Sequence, residues 1–103
     1  MNEKDLEAEI ISKGLNAPRV TPAMLDEAIV HVTYTILPSH RTTVCEITLR
    51  NGFTVHGLSS VVSIENFDAG IGRKVAYETA RRQIWQLEGY RLQQAVFEGR
   101  VAV

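Results

Sequence analysis

The dipeptide Asn51-Gly52 lies between two runs of alternating side chains, "TTVCEITLR" before it and "FTVHGLSSVV" after it. Both residues accept positive φ, and an Asn-Gly pair between alternating runs is the strongest short-range hairpin signal. On the first run Cys45, Ile47 and Leu49 share one face, and Val44, Glu46 and Thr48 share the other, because successive strand side chains point to opposite sides. Upstream, "HVTYTIL" is β-branched and aromatic, and Pro38 with "SHR" supplies a turn. The centre of the chain is therefore expected to be an antiparallel meander of about three strands.

Helical spacing flanks this meander. "EKDLEAEIISKG" places Leu6, Ile10 and Ile11 among charges and stops at Gly14, so it reads as a short amphipathic helix or docking arm, with "NAPRV" as a linker. Thr21 offers an N-cap hydroxyl before Pro22 at the favoured first helical position. Leu25, Ala28, Ile29 and Val32 continue that periodicity, and a change from helix to strand is expected near His31. After Ser63, Asp68 can cap a long helix that ends before Gly99. Positions 73, 77, 80, 84, 87 and 91 share one stripe, with Tyr77, Ala80, Ile84 and Leu87 as its apolar centre, which directs Arg73 along a buried seam.

The expected fold class is α+β: an N-terminal helix, the three-stranded meander and a long C-terminal helix packed on the sheet. At 103 residues the chain is expected to form a single domain, 1–103, with an arm and linker over 1–19, a core over 20–98 and a tail over 99–103. A domain this small buries only about two thirds of its unfolded surface, so oligomerisation is an expected source of stability. A formal net charge of −1 advertises no duplex nucleic acid, so any anion site must come from local clustering. The apolar runs are too short to span a bilayer, and "MNEKDLEAEI" does not read as a signal peptide. A single cysteine, Cys45, excludes an intrachain disulfide and suits a reducing cytoplasm.

Two cations, Arg73 and Lys74, stand near the start of the long helix, where the macrodipole already presents positive charge. An exposed cation there costs roughly 0.3–1 kcal/mol, so the placement invites a reason. One reason is an anion site built from Asn66, Asp68, Gly70, Gly72, Arg73 and Lys74. Free N–H groups and two cations would take a phosphate, and Asn66 or Asp68 a ribose hydroxyl or a base edge. The plainer reading, which the residues alone favour, is a helix capped by Asp68 with a snorkelling Arg73 and a Lys74–Glu78 ion pair. A second candidate is Arg81 and Arg82 with Trp85. Arg81 and Trp85 stand four apart, at cation–π spacing, and could hold a base and a phosphate; the plainer reading is a Glu78–Arg82 pair and a buried Trp85.

Enzyme signatures are absent. "GIGRKV" lacks the third glycine of a dinucleotide fingerprint, and His31, His40 and His56 have no metal-ligand spacing. A Cys45–His56 dyad across the hairpin is imaginable, but a lone strand cysteine is more often a small buried hydrophobe. No catalytic residue, metal or cofactor is expected.

"TVCEITLRNGFTVHGLSS" followed by "ENFDAGIGRKVAYETARRQIWQLEGYRL" resembles a family of small proteins encoded by tailed phages and prophages. The resemblance runs over about residues 20 to 94: strand, Asn-Gly-Phe hairpin, Asn-Phe-Asp, Ile-Gly-Arg-Lys, alanine-rich helix, then Ile-Trp-x-Leu-Glu-Gly-Tyr. Many members have no known function; the family includes the first Thoeris anti-defence protein, an immune-signal sponge. The resemblance implies binding of cyclic ADP-ribose variants without cleavage and, as in some relatives, of cyclic oligonucleotides of the CBASS pathway. It also implies a homo-oligomer, a dimer or a hexamer, with pockets between subunits, in the cytoplasm of an infected or lysogenic host. Ligand roles carry over to Asn66 and Asp68, with Arg73, Lys74, Arg81 and Arg82 as phosphate contacts. The base-stacking aromatic is left open among His56, Phe53, Phe67 and Trp85. The chain departs from the family at Val62-Ser63-Ile64-Glu65, on the pocket rim, and at Gln86. Rival readings are a non-catalytic phage accessory or protein-interaction module, and a single-stranded nucleic-acid-binding module.

Overall fold

A computed structural model describes residues 2–102 of the chain; Met1 and Val103, the outer ends of the expected arm and tail, lie outside the described residues. The elements run α1 (Glu3–Ser12), α2 (Pro22–Ala28), β1 (Ile29–Ile36), β2 (Thr42–Leu49), β3 (Thr54–Ser60), a 3₁₀ turn (Ile64–Asn66) and α3 (Ala69–Phe97). The class is the α+β arrangement expected: an N-terminal helix, three antiparallel strands in the order β1-β2-β3, and a long C-terminal helix. The chain forms two compact units, Met1–Glu27 with Trp85–Val103, and Ala28–Ile84, and α3 contributes to both.

Local chemistry sets the element ends. Asn2 caps α1 by accepting the Asp5 N–H on Oδ1 at 2.8 Å, and Thr21 Oγ1 accepts the Met24 N–H at 3.3 Å ahead of α2. Gly14 and Gly99 hold φ of 65° and 75°. At each, the glycine N–H and the next N–H turn back onto helix carbonyls, as in Gly99 N to Val96 O and Arg100 N to Ala95 O. That is a Schellman stop, which needs a left-handed residue. The change from helix to strand comes at Ala28–Ile29, two residues earlier than the β-branching near His31 suggests.

The hairpin differs from the expected form in one instructive way. Only Gly52 has positive φ, at 89°. Leu49 N–H donates to Phe53 O at 2.8 Å, and Gly52 N–H donates to Leu49 O at 2.9 Å. The loop is therefore Arg50-Asn51-Gly52, a turn closed by a left-handed glycine bulge, with Asn51 Oδ1 accepting the Phe53 N–H at 3.0 Å. The register follows: Glu46 stands opposite His56 and Cys45 opposite Gly57.

In the Ala28–Ile84 unit the inner face carries Cys45, Ile47, Leu49 and Val55, all buried, beneath Ala76, Ala80 and Ile84 of α3. The approach of helix to sheet is closest at Gly57. A Cβ on that residue would lie 2.1 Å from Ala76 O and 2.5 Å from Ala80 N. Gly72 meets Thr43 in the same way, with Thr43 Oγ1 2.8 Å from where a Cβ would stand. The buried seam of α3 is therefore Gly72, Ala76, Ala80, Ile84, and the expected stripe is displaced by about one residue. Ala80 and Ile84 belong to both, whereas Leu87 and Arg73 are exposed. Close backbone approach selects small side chains; the larger apolar residues that drew the expected stripe would have held the helix away.

Candidate binding groove

Because α3 sits over β2 and β3 through Gly57 and Thr43, the inner face of β1 is left partly bare. Tyr34, opposite Cys45, is 40% exposed, and Ile36, opposite Thr43, is 45% exposed. Between β1 and the first turns of α3 lies an open hollow of about 420 Å³, lined by Tyr34, Gly70, Arg73, Lys74, Tyr77 and Glu78. This volume falls within the range of about 300–1,000 Å³ common to small-molecule sites. Arg73 and Lys74 are both exposed and, among the described residues, neither forms an ion pair. Arg73 thus borders a groove and does not follow a buried seam. Nor does Lys74 pair with Glu78: both charges stand on the lining of the hollow.

Of the anion site the sequence suggested at the helix N-terminus, Gly70, Arg73 and Lys74 line the hollow, whereas Asp68 caps the helix. Asp68 Oδ1 accepts the Ile71 N–H at 2.8 Å, and Asp68 O accepts the Gly72 N–H at 2.9 Å. The carboxylate thereby takes one of the N–H groups a phosphate would use, that of Ile71, and places its own negative charge at the helix start. Asn66 is exposed at the end of the 3₁₀ turn, where its own N–H donates to Ser63 O at 3.0 Å. Neither Asn66 nor Asp68 lines the hollow.

Arg81 reaches back along α3 to Tyr77. Its Nη1 donates to Tyr77 Oη at 2.9 Å, with its guanidinium carbon 5.9 Å from the Tyr77 ring centroid. Helical side chains lean toward the N-terminus, so the residue four positions earlier is within easier reach. Arg81 is only 6% exposed and acts on the groove through Tyr77. Arg82 is exposed and away from the hollow, and it does not pair with Glu78. Trp85 belongs to the other unit, where its indole N–H donates to Glu3 Oε2 at 3.0 Å beside a second hollow of about 250 Å³.

His56 lies on the outer face of the sheet, with Nε2 2.7 Å from Glu46 Oε2. The loop explains this. A two-residue Asn51-Gly52 link would have paired Arg50 with Phe53 and set His56 opposite inward-facing Ile47. One extra loop residue reverses the face of every following side chain. Of the expected set, Arg73 and Lys74 line the groove, Arg81 supports it, and Asn66, Asp68, Arg82, His56 and Trp85 do not line it. Sequence reasoning missed Tyr34, Tyr77 and Glu78. The available signal was the ladder Arg73, Tyr77, Arg81, each four residues from the next on one helix face.

The groove has defined electrostatics. Burial raises the Tyr34 hydroxyl above its ordinary pKa; Cys45 and Tyr77 add to this, and the Arg73 charge opposes it. Tyr34 is therefore a neutral phenol at pH 7, able to donate and accept a hydrogen bond. Cys45, beneath it, is likewise raised by burial and stays a thiol. Among the described residues no group of three or more His, Cys, Asp or Glu side chains could hold a metal ion. Among the described residues no helix is long and apolar enough to cross a membrane.

The sequence profile of the phage protein (N4 Gp49/phage Sf6 gene 66) family matches residues 20–96. The chain belongs to this family. The match takes in all three strands and nearly all of α3, so the groove of this phage family member lies wholly within the shared region. Neither a curated protein nor a solved structure matches the chain.

Proposed function

We propose that this phage protein binds a cyclic nucleotide immune signal and holds it without cleavage, in the cytoplasm of an infected or lysogenic host. The observation that carries this reading is the groove of about 420 Å³ with Arg73 and Lys74 on its lining and no carboxylate paired to either among the described residues. Unpaired cations beside a ligand-sized space suit charge-assisted contacts to phosphate. The resemblance to signal sponges supplies the ligand class: cyclic ADP-ribose variants, with cyclic oligonucleotides as the second group. A sponge must bind at low signal concentration, and a Kd near 10 nM corresponds to about −11 kcal/mol. An open groove reaches that only if something closes it. A homo-oligomer in which a second copy covers the exposed Tyr34 and Ile36 would do so, and would also bury apolar surface.

Among the described residues, Glu78 is the one carboxylate on the lining of the hollow, and no His, Cys or Ser lines it. The release assay follows from this. The purified protein is incubated with cyclic ADP-ribose isomers and cyclic oligonucleotides, freed of unbound ligand and heat-denatured, and the supernatant is analysed. Intact ligand supports sequestration, altered ligand supports an enzyme, and empty protein favours a protein-interaction module, for which the exposure of Tyr34 and Ile36 also speaks. Arg73→Ala should weaken capture at least tenfold while leaving the oligomer intact; unchanged capture refutes the groove as the site.

A further inference from the structure

The lining of the groove changes character along α3. Arg73 and Lys74 stand one turn before Tyr77 and Glu78, about 6 Å along the helix axis at 1.5 Å per residue. At the first end there are two cations and Gly70, which adds no side chain. At the second there are the phenol ring of Tyr77 and a carboxylate, while Tyr34 of β1 lines the same hollow from the sheet, within electrostatic range of both Tyr77 and Arg73. An inorganic anion would use only the first end and be repelled from the second. A ligand that uses both must carry negative charge at one end and a flat ring with hydrogen-bond donors at the other. We infer, resting on the binding reading above, that the groove is a two-ended nucleotide site in which Arg73 and Lys74 take the phosphate, Tyr34 and Tyr77 flank the base, and Glu78 accepts from a base amine or a ribose hydroxyl.

Three observations support the second end. Tyr77 Oη already accepts a hydrogen bond from buried Arg81, which holds the ring in place and leaves the phenol's own proton free to donate elsewhere. Tyr34 stands on a strand opposite buried Cys45, so its backbone is fixed while its ring is 40% exposed. Glu78 forms no ion pair among the described residues, and an ionised carboxylate can only accept hydrogen bonds. It therefore selects N–H and O–H groups and excludes a second phosphate. Aromatic stacking tolerates any base, whereas the carboxylate discriminates for donors.

The test compares cyclic ADP-ribose and AMP with ribose 5-phosphate and pyrophosphate, which lack a base, by equilibrium dialysis. The native protein should bind the two base-containing probes more tightly than the two base-free ones. Tyr34→Ala should weaken cyclic ADP-ribose and AMP by roughly 10- to 100-fold, and Tyr34→Phe should keep most of the affinity. Glu78→Gln should weaken the base-containing probes and leave pyrophosphate unchanged or tighter. Circular dichroism of each variant shows that it is folded, and Tyr34→Phe serves as a second check because it keeps the ring. If Arg73→Ala abolishes binding but Tyr34→Ala and Glu78→Gln bind cyclic ADP-ribose as the native protein does, the two-ended site is overturned and the phosphate groove stands. If the native protein binds none of the probes, both fall together.

Discussion

Gly57→Ala adds a single methyl group where the structure has no room for it. The new Cβ would lie 2.1 Å from Ala76 O and 2.5 Å from Ala80 N. The first distance is roughly 1.4 Å short of an ordinary van der Waals separation. Both obstructing atoms belong to the backbone of α3, so no rotamer change relieves the clash. Either the helix lifts from the sheet or β3 sinks beneath it. A lift of about 1 Å forfeits a quarter to a half of each contact beneath it, and Ala76, Ala80, Ile84, Cys45 and Ile47 all make such contacts, each at 0% exposure. Overpacking of this kind costs about 1–3 kcal/mol, occasionally more, and the rigidity of the obstruction places Gly57→Ala at the upper end, about 3 kcal/mol. For a chain of this size each kcal/mol moves the midpoint by about 4–8 °C. The melting temperature should therefore fall by roughly 12–24 °C, a large part of a total stability of about 5–15 kcal/mol.

Gly89→Ala provides the matched control. It is the same chemical change, made within α3 instead of on the strand beneath it, with nothing within 4 Å of the added Cβ. There the helix-propensity gain of about 0.5–1 kcal/mol acts alone, and the midpoint should rise by a few degrees. Thermal melts of both variants at one protein concentration, followed by circular dichroism, read the two signs directly. A Gly57→Ala melt indistinguishable from that of the parent would refute the close helix–sheet contact, and with it the account of how the groove arises.

Other substitutions probe separate parts of the argument. Thr43 is 1% exposed, and its Oγ1 has no hydrogen-bond partner among the described residues; Thr43→Val removes that orphaned hydroxyl and should stabilise by about 1 kcal/mol, read as a raised urea midpoint. Asp68→Ala deletes the cap of α3 and should cost about 1 kcal/mol, whereas Asp68→Asn, which keeps the acceptor, should cost less. The hydrogen bond from Arg19 holds the Glu7 carboxyl below its ordinary 4.5, with desolvation opposing and the Arg19 charge assisting. Because the folded pKa is the depressed one, the pair's contribution is complete above pH 4.5 and is lost as pH falls through the lower folded value. Amide exchange in α1 should accelerate there in the parent, and Glu7→Gln should remove that pH dependence.

Much of this fold was legible because its signals are local. The caps at Thr21 and Asp68, the left-handed stops at Gly14 and Gly99, and the inward set Cys45, Ile47, Leu49 each depend on neighbours within a few residues. What was hidden depends on one residue of register or one residue of helix rotation. The bulged loop at Arg50-Asn51-Gly52 moves His56 to the outer face, and no propensity at Asn51 or Gly52 reports the choice between two and three loop residues. The seam of α3 turned on Gly57, a residue on another element, whose missing side chain decides which face of the helix can come closest. A periodicity count weights Tyr77 and Leu87 over Gly72 and Ala76, so it selects the neighbouring stripe. Arg73 and Lys74 were found because their charge is anomalous at a helix start. Tyr34 was missed because its place in the groove needs both the β1 register and the helix rotation.

The same offset joins the fold to the site. Had α3 been centred on the sheet, Tyr34 and Ile36 would be covered and no hollow would stand beside Arg73 and Lys74. The glycine at 57 draws the helix toward β3, and the small residues at 72, 76 and 80 let it settle there. One strand's inner face is then left without a lid, at a cost in apolar exposure that a small domain can ill sustain. That exposure is offset if the face is covered in use, by a ligand, by a second copy, or by both at once. The net charge of −1 leaves the surface as a whole indifferent to anions, so the cations on this one groove act at short range. Under the proposed binding reading, such an arrangement would suit a small, singly docked anion better than a polyanion such as duplex nucleic acid, whose affinity grows with every phosphate neutralised.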